Sequence, residues 1–176
     1  HVLRDTQQCG VLRYCLRFAG YKQHRFKKSK MAERTRLRKN WLDTRPVEAN
    51  ERRELGHWER DSLEGAMGKS ILLTLVDWKS RLVCIRHVHR KECKAVARAT
   101  VAALEPFGET TKTITNDNGH EFRRDESLQK RLGTKIFFTD PSSPWQRGSV
   151  ENVNGVIRQY LPKRTNFDYL QSWTTS

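Results

Sequence analysis

The sequence lacks the features that mark membrane, secreted and disulfide-stabilised proteins. None of its apolar runs approaches the roughly 20 residues that a membrane-spanning helix needs, and no signal-peptide pattern opens the chain. Its four cysteines form no CxxC pair, which argues against both a zinc finger and a disulfide scaffold. We therefore expect a cytoplasmic protein with reduced thiols and no membrane partner. The first residue is His1 rather than Met, so we also expect a fragment.

Positive charge is what the 176 residues have in excess. There are 34 Lys and Arg against 20 Asp and Glu, a formal net charge of +14 and a pI near 10.1. Residues 1–55 hold 15 basic and 6 acidic residues, a net charge of +9, whereas residues 56–176 hold 19 and 14, a net charge of +5. A surplus of this size predicts a polyanionic partner, nucleic acid before a membrane surface.

Composition divides the chain into four parts. Residues 1–45 are predicted to be a basic DNA-contacting arm and linker, the truncated end of an N-terminal DNA-binding region. Residues 46–55 begin with Pro46 and alternate in charge sign, as in an exposed linker or short helix. Residues 56–167 form the core, and residues 168–176 a truncated tail. In the arm, the cations expected to contact phosphates are Lys27, Lys28, Arg36, Arg38 and Lys39.

The pattern after Gly56 predicts an α/β fold with a mixed five-stranded sheet flanked by helices. Strands are expected first, at 58–63, 71–76 and 82–88, and short connections favour antiparallel pairing. Helices at 92–104, 124–132 and 148–161 then alternate with strands at 112–115 and 135–138. Ser149 is the expected N-cap of the last helix and Gly133 the C-cap of the one before it.

Three carboxylates lie at positions where α/β folds commonly have their active sites, near strand ends and the loops that follow them. Asp61 lies in the first strand, Asp117 directly after the fourth, and Glu151 in the first turn of the last helix. If the first and fourth strands are neighbours, these oxygens suit Mg²⁺ or Mn²⁺. The pattern alone leaves two alternatives open: turn-forming or helix-capping roles without a metal, and Asp77 in place of Asp61 as the first ligand.

Four motifs in this order resemble a known family. They are Gly56-His-Trp-Glu-Arg-Asp61, Leu72-Leu-Thr-Leu-Val-Asp-Trp-Lys-Ser-Arg-Leu82, Thr115-Asn-Asp-Asn-Gly-His-Glu-Phe122, and the segment from Trp145 to Lys163 that contains Glu151. They resemble the catalytic domain of the IS-thirty family of bacterial insertion-sequence transposases, which belong to the Asp-Asp-Glu transposases and integrases. The likeness runs from about Arg45 to Phe167, and 33 residues separate Asp117 from Glu151, an interval similar to that of the family.

The resemblance implies a ribonuclease-H-like fold with a catalytic and metal-binding triad of Asp61, Asp117 and Glu151. Such enzymes bind two Mg²⁺ (Mn²⁺ is expected to substitute), hydrolyse a phosphodiester at the transposon end and then use the freed 3′-hydroxyl to attack target DNA. It also implies DNA as the partner, a homo-oligomer on that DNA, and a place at the bacterial nucleoid. The alternatives are a truncated inactive DNA-binding remnant and a ribonuclease-H-type nuclease.

Residues around the triad carry further expectations. Arg158 shares a helix face with Glu151 and is expected, with Lys163, to contact DNA phosphates. Asn154 shares that face and is expected either to orient the carboxylate or to touch DNA. Arg60 stands where the family usually has Gly. Strand alternation turns it away from Asp61, but its bulk is expected to disturb a packed helix.

Four histidines in the core region could be mistaken for metal ligands. The carboxylate set leaves no vacancy that requires an imidazole. Histidines near strands are therefore expected to be hydrogen-bonded structural residues. They are His57, His87, His89 and His120.

Overall fold

The computed structural model describes residues 45–66, 70–122, 126–140 and 144–173. From residue 57 onward, five strands and three α-helices of these ranges follow in the predicted order, β-β-β-α-β-α-β-α, and a short helix precedes them. The strands are β1 (His57–Glu64), β2 (Ile71–Asp77), β3 (Val83–Val88), β4 (Thr113–Asn116) and β5 (Lys135–Phe138). The helices are α1 (Val47–Asn50), α2 (Cys93–Leu104), α3 (Glu126–Leu132) and α4 (Gly148–Tyr160). Short 3₁₀ segments span Glu105–Thr110, His120–Phe122, Pro144–Arg147 and Phe167–Trp173.

The sheet is mixed, with β1 at its centre. The strand order is β3-β2-β1-β4-β5. β1, β2 and β3 pair antiparallel through short connections, whereas β4 and β5 run parallel to β1 after helical crossovers. The prediction of a mixed five-stranded sheet is therefore confirmed. So is the condition on which the carboxylate site depended, because the first and fourth strands are neighbours.

Helices cover both faces of the sheet, since every residue of β2 is buried. On one face α2 and α3 pack over a core that includes Trp58, Leu73 and Ile114. On the other face α4 lies against β1 and β2, and Phe167 packs with Leu63 and Leu72. Alternate residues of β1 point to opposite faces, so Asp61 lies on the α4 side and Arg60 on the α2 side.

The segment that was predicted to be a linker contains α1 and packs on the core. Ala49 is fully buried, and the Arg45 guanidinium stacks 3.7 Å from the centre of the Trp78 ring. Arg45 also donates a 2.9 Å hydrogen bond to Oγ1 of Thr115 on β4. Of the two alternatives for this segment, the short helix is the one observed.

Two helix ends can be compared with the sequence prediction. Gly133 follows α3 with a φ of 62°, as a glycine C-cap requires. The N-cap prediction for α4 was wrong, because the helix begins at Gly148 with Arg147 in the capping position. Ser149 lies inside the first turn, where its hydroxyl accepts a hydrogen bond from Arg81. Among the helices of the described residues, none has the length and apolar character to cross a bilayer.

Candidate active site

Two carboxylates meet just past the last paired residues of the parallel strands β1 and β4. The register pairs Glu59 with Thr115, so two residues further along it carries Asp61 beside Asp117. Arg147, just before α4, reaches both: its guanidinium nitrogens lie 3.2 Å from Oδ1 of Asp61 and 3.7 Å from Oδ2 of Asp117. We call Asp61 and Asp117 the carboxylate pair. The sequence prediction missed Arg147, although it lies four residues before Glu151 within the quoted motif.

Asn154 of α4 fixes the orientation of Asp61. Its Nδ2 donates a 2.9 Å hydrogen bond to Oδ2 of Asp61, and its Oδ1 accepts a 2.8 Å bond from the Thr74 hydroxyl on β2. Asn154 is only 7% exposed. Its amide is engaged on both ends, so the geometry favours the orienting role over the DNA contact, which stays a prediction. The other predicted role, orienting a carboxylate, agrees with the geometry.

Glu151 lies on the turn of α4 that the protein holds over β1. The backbone N–H of Val150 donates a 2.7 Å bond to Oε2 of the buried Glu59, and Asn154 holds Asp61 one turn later. Glu151 stands between these two anchors, three residues before Asn154, and is exposed. At that spacing the Cβ atoms of two helical residues lie roughly 5–6 Å apart. Glu151 is therefore presented to solvent beside Asp61.

The Asp117 loop is held by close contacts around Gly119. The N–H of Gly119 donates a 2.8 Å hydrogen bond to Oδ1 of Asp117. A Cβ at Gly119 would stand 2.6 Å from Oε2 of Glu121 and 2.8 Å from Oδ1 of Asp117. Glu121 in turn accepts a hydrogen bond from Ser62, next to Asp61, and pairs with Lys91 at 3.2 Å. Only glycine fits between these carboxylates without displacing one of them.

Asp77 has a different environment from the carboxylate pair. It is 2% exposed and accepts hydrogen bonds from the N–H of Gly56 and from both the N–H and the hydroxyl of Ser80, at 2.7–2.8 Å. Its position opposite Trp58 lies three residues from Asp61 along β1. The alternative in which Asp77 is the first ligand does not agree with this geometry, since its oxygens already close the β2–β3 turn.

Electrostatics make the carboxylate pair receptive to cations. Burial raises the pKa of Asp61; the Arg147 guanidinium opposes that shift, and the neighbouring Asp117 carboxylate adds to it. One guanidinium thus faces two acidic groups in a partly buried place. The exposed side chain of Glu151 adds a third set of oxygens nearby. These donor atoms are all oxygens, and they already face the positive charge of Arg147. Such a set fits a hard divalent ion.

Arg158 was predicted to contact DNA, which stays a prediction, and the structure gives its guanidinium a structural role as well. Its guanidinium donates a 2.8 Å hydrogen bond to the carbonyl of Glu64 and lies 5.9 Å from the Phe167 ring. It therefore ties the end of α4 to the end of β1. Lys163, just past α4, is exposed, as a phosphate contact requires. The arm cations Lys27, Lys28, Arg36, Arg38 and Lys39 lie outside the described residues.

Arg60 lies on the face opposite Asp61, as predicted, and is fully buried. Its Nε donates to Oδ1 of Asn116 at 2.9 Å, and a terminal nitrogen donates to Oγ1 of Thr100 at 2.7 Å. The expectation that its bulk disturbs a helix was wrong. α2 runs unbroken past Arg60 because Thr100, on its buried face, accepts a hydrogen bond from the guanidinium.

A groove along the start of α4 contains further basic residues that the sequence prediction did not single out. Arg52 and Arg81 line it together with Gly148, Ser149 and Asn152. Arg81 was visible in the second quoted motif, but nothing in the sequence pattern placed it against the first turn of α4.

Comparisons with known proteins agree with this architecture. Residues 51–144 match the family model described as the integrase core domain. The chain is 39% identical over 126 residues to the transposase for insertion sequence element IS1086 of Cupriavidus metallidurans, covering 71% of this chain and 37% of that protein. It is 45% identical over 115 residues to the transposase InsI for IS30A of Escherichia coli, covering 65% of this chain and 30% of that protein. The chain thus spans about a third of the length of these relatives.

A solved structure with a similar fold extends the comparison. It is a cryoEM structure of a simian T-cell lymphotropic virus intasome in complex with PP2A regulatory subunit B56 gamma. The TM-score is 0.54 at 20% identity, over 70% of this chain and 44% of that one. At this identity the likeness concerns the fold alone, and it agrees with the predicted ribonuclease-H-like sheet. The chain therefore belongs to the integrase core domain family, and the relatives that it resembles at 39% and 45% identity are insertion-sequence transposases.

Proposed function

We propose that this chain is the catalytic domain of a DNA transposase that cleaves transposon ends and joins them to target DNA. The observation that carries the proposal is the carboxylate pair, held within β1 and just past the end of the adjacent parallel strand β4, with the Arg147 guanidinium close to both groups. The named activity of the relatives supports it.

In this proposal Asp61, Asp117 and Glu151 hold divalent ions, Mg²⁺ by preference, with Mn²⁺ as a substitute. Bound there, such ions would activate the attacking hydroxyl and offset charge at the phosphate. The chain's own residues do the positioning. Asn154 keeps Asp61 in one orientation, and the N–H of Gly119 does the same for Asp117.

DNA would approach along the exposed side of α4. Arg52 and Arg81 line the groove along the start of α4, and Lys163 lies exposed past the end of the helix. Cations in such a row neutralise phosphates and release counterions without reading sequence. We further propose that the full protein acts as a homo-oligomer on DNA and that residues 1–45 add phosphate contacts.

The direct test uses a duplex that carries a pre-nicked transposon end, the whole chain and Mg²⁺. We expect strand transfer into a target duplex, lost on Asp117→Asn and on Glu151→Gln. Glu105→Gln, which removes an exposed carboxylate far along the chain from the site, is the matched control and should leave joining unchanged. Joining that survives Asp117→Asn would contradict the triad assignment.

The same assay separates the two alternatives. A DNA-binding remnant would retain the duplex in a gel-shift experiment but give no joined product with Mg²⁺ or Mn²⁺. A ribonuclease-H-type nuclease would cut an RNA–DNA hybrid faster than duplex DNA. Either outcome would replace the proposed activity.

A further inference from the structure

Two histidines and a carboxylate converge at the sheet edge, away from the carboxylate pair. His87 lies near the end of the edge strand β3, His89 follows that strand, and Asp168 belongs to the 3₁₀ segment Phe167–Trp173. One possible ligand atom from each lies within 4.8 Å of the other two. Nε2 of His87 and Nδ1 of His89 stand 3.6 and 3.7 Å from the same oxygen, Oδ1 of Asp168.

These contacts leave a buried polar atom unsatisfied. A separation of 3.6 Å is too long for a hydrogen bond. Within the described part of the chain, Nε2 of His87 is buried and has no hydrogen-bond partner. A buried nitrogen without a partner costs free energy, so the arrangement needs an explanation. A cation bound to all three side chains would satisfy this nitrogen.

The spacing suits a small metal ion. Zinc binds His nitrogen and carboxylate oxygen at roughly 2.0–2.2 Å, which puts tetrahedral ligand atoms about 3.3 Å apart. The two histidine–carboxylate separations of 3.6 and 3.7 Å need only a few tenths of an ångström of contraction, and the two histidine nitrogens lie within 4.8 Å of each other. His89 and Asp168 are 60% and 56% exposed, so close packing does not oppose a small shift of either side chain.

The backbone at each ligand is already fixed. His87 lies opposite Leu72 in the β2–β3 register. Phe167 is fully buried against Leu72, and the N–H of Asp168 donates a 3.0 Å hydrogen bond to Oδ1 of Asn166. The segment therefore brings Asp168 to the edge strand before any metal binds, and ordering the ligands costs little extra entropy.

This cluster is distinct from the carboxylate pair in position and chemistry. Asp61 on β1 lies opposite Thr74 of β2, and His87 on β3 lies opposite Leu72 of β2. The two residues are therefore two strands and about two residues apart. Sheet spacings put the Cα atoms of Asp61 and His87 roughly 12 Å apart. Imidazole nitrogens favour Zn²⁺ and similar transition metals, whereas Mg²⁺ prefers oxygen.

We propose that His87, His89 and Asp168 bind one divalent transition-metal ion of the Zn²⁺ type. The ion clamps the segment that follows α4 to the edge strand β3 and leaves its fourth position to water. This revises the expectation that His87 and His89 are only structural residues. The proposal does not depend on the proposed function, because its ligands and its readout are separate from DNA chemistry.

The test measures Co²⁺, a spectroscopic substitute for Zn²⁺, bound to the whole chain in excess Mg²⁺. The Mg²⁺ competes for the carboxylate pair. The variants His89→Gln and Asp168→Asn each remove one partly exposed ligand, so the fold should persist, as circular dichroism can verify. His120→Gln is the matched control, since His120 is also 60% exposed and lies outside the cluster.

We expect both ligand variants to bind one Co²⁺ fewer per chain than the unmodified protein, or to bind it at least 100-fold more weakly. His120→Gln should bind like the unmodified protein. Zn²⁺ should raise the Tm of the unmodified protein and of the control, but not of the ligand variants. Any binding by histidines or cysteines of residues 1–44 is common to all four proteins and cancels. Equal Co²⁺ stoichiometry and affinity in all four would overturn the proposal.

Discussion

Asp61 and Asp77 were rival ligands in the sequence, and replacing each by Asn should separate function from stability. The two variants make the same chemical change, a carboxylate to an amide of the same shape. Asp77→Asn alters a buried acceptor of three hydrogen bonds. Asp61→Asn alters a carboxylate that accepts hydrogen bonds from the Ser62 N–H and from Asn154 and faces Arg147. Its side chain is 22% exposed, so water can replace a lost partner, and burial already disfavours its charged form.

The expected magnitudes follow from those partners. An amide at Asp77 turns its NH₂ toward a donor, either Gly56 or Ser80, and leaves that donor unpaired. An unpaired buried donor together with the lost charge assistance costs about 3 kcal/mol, which lowers Tm by about 10 °C in a chain of this size. At Asp61 the lost attraction to Arg147 and the relieved burial of charge oppose each other. We expect a net change within about 1 kcal/mol there.

Two assays decide the outcome: thermal unfolding without metal, and strand transfer well below either Tm. Asp77→Asn should melt about 10 °C lower but still join DNA. Asp61→Asn should have a Tm close to that of the unmodified protein but give no joined DNA. If instead Asp77→Asn folds normally without activity and Asp61→Asn stays active, Asp77 and not Asp61 is the ligand.

Three further changes test the structure around the carboxylate pair. Arg147→Gln leaves the pair without its cation, so Mg²⁺ should stabilise the variant by about 1 kcal/mol more than the unmodified protein; equal Mg²⁺-induced shifts in Tm would show that the guanidinium and the ion do not compete. Gly119→Ala places a Cβ against the carboxylates of Asp117 and Glu121 and should abolish joining. In the control Gly133→Ala the new Cβ meets no atom within 4 Å, so the φ of 62° should cost about 1 kcal/mol of stability and joining should persist; joining by the Gly119 variant would contradict the claim that only glycine fits there. Glu121→Gln should lower the free energy of unfolding by about 2 kcal/mol at pH 7 because it breaks the pair with Lys91. Although burial raises the pKa of Glu121, its hydrogen bonds and Lys91 hold the net pKa below normal, so the stabilisation by Glu121 is lost as pH falls through that pKa. The free energies of unfolding of the two proteins should therefore converge in acid; a difference that stays constant with pH would count against this role of Glu121.

Much of the fold could be predicted because its signals are local. β5 was predicted at its observed bounds from three apolar residues that follow Lys135, between a glycine and a proline. α2 followed from helical spacing of small apolar residues, and Val96, Thr100 and Leu104 do face the core. That β1 and β4 are neighbours was a condition of the carboxylate site and not a prediction, because the alternation of strands and helices leaves more than one order for a mixed sheet.

The candidate site was less predictable, because its supporting contacts join residues far apart in sequence. Arg147 reaches Asp61 across more than eighty residues, and no periodicity reports such a contact. Helix spacing correctly put Arg158 on the face of Glu151. Helix spacing could not show that the Arg158 guanidinium donates hydrogen bonds to backbone carbonyls near the ends of β1 and α4. His87, His89 and Asp168 likewise meet only through the β2–β3 register and the path of the chain after α4.

The central claim is that Asp61, Asp117 and Glu151 bind divalent ions at one place. Anomalous scattering from a crystal of this chain soaked in Mn²⁺ tests it most directly. We expect Mn²⁺ density within about 2.2 Å of carboxylate oxygens of both Asp61 and Asp117, with the Arg147 guanidinium displaced from between them. If saturating Mn²⁺ leaves no density there and Arg147 stays between the two carboxylates, these residues are not the metal ligands.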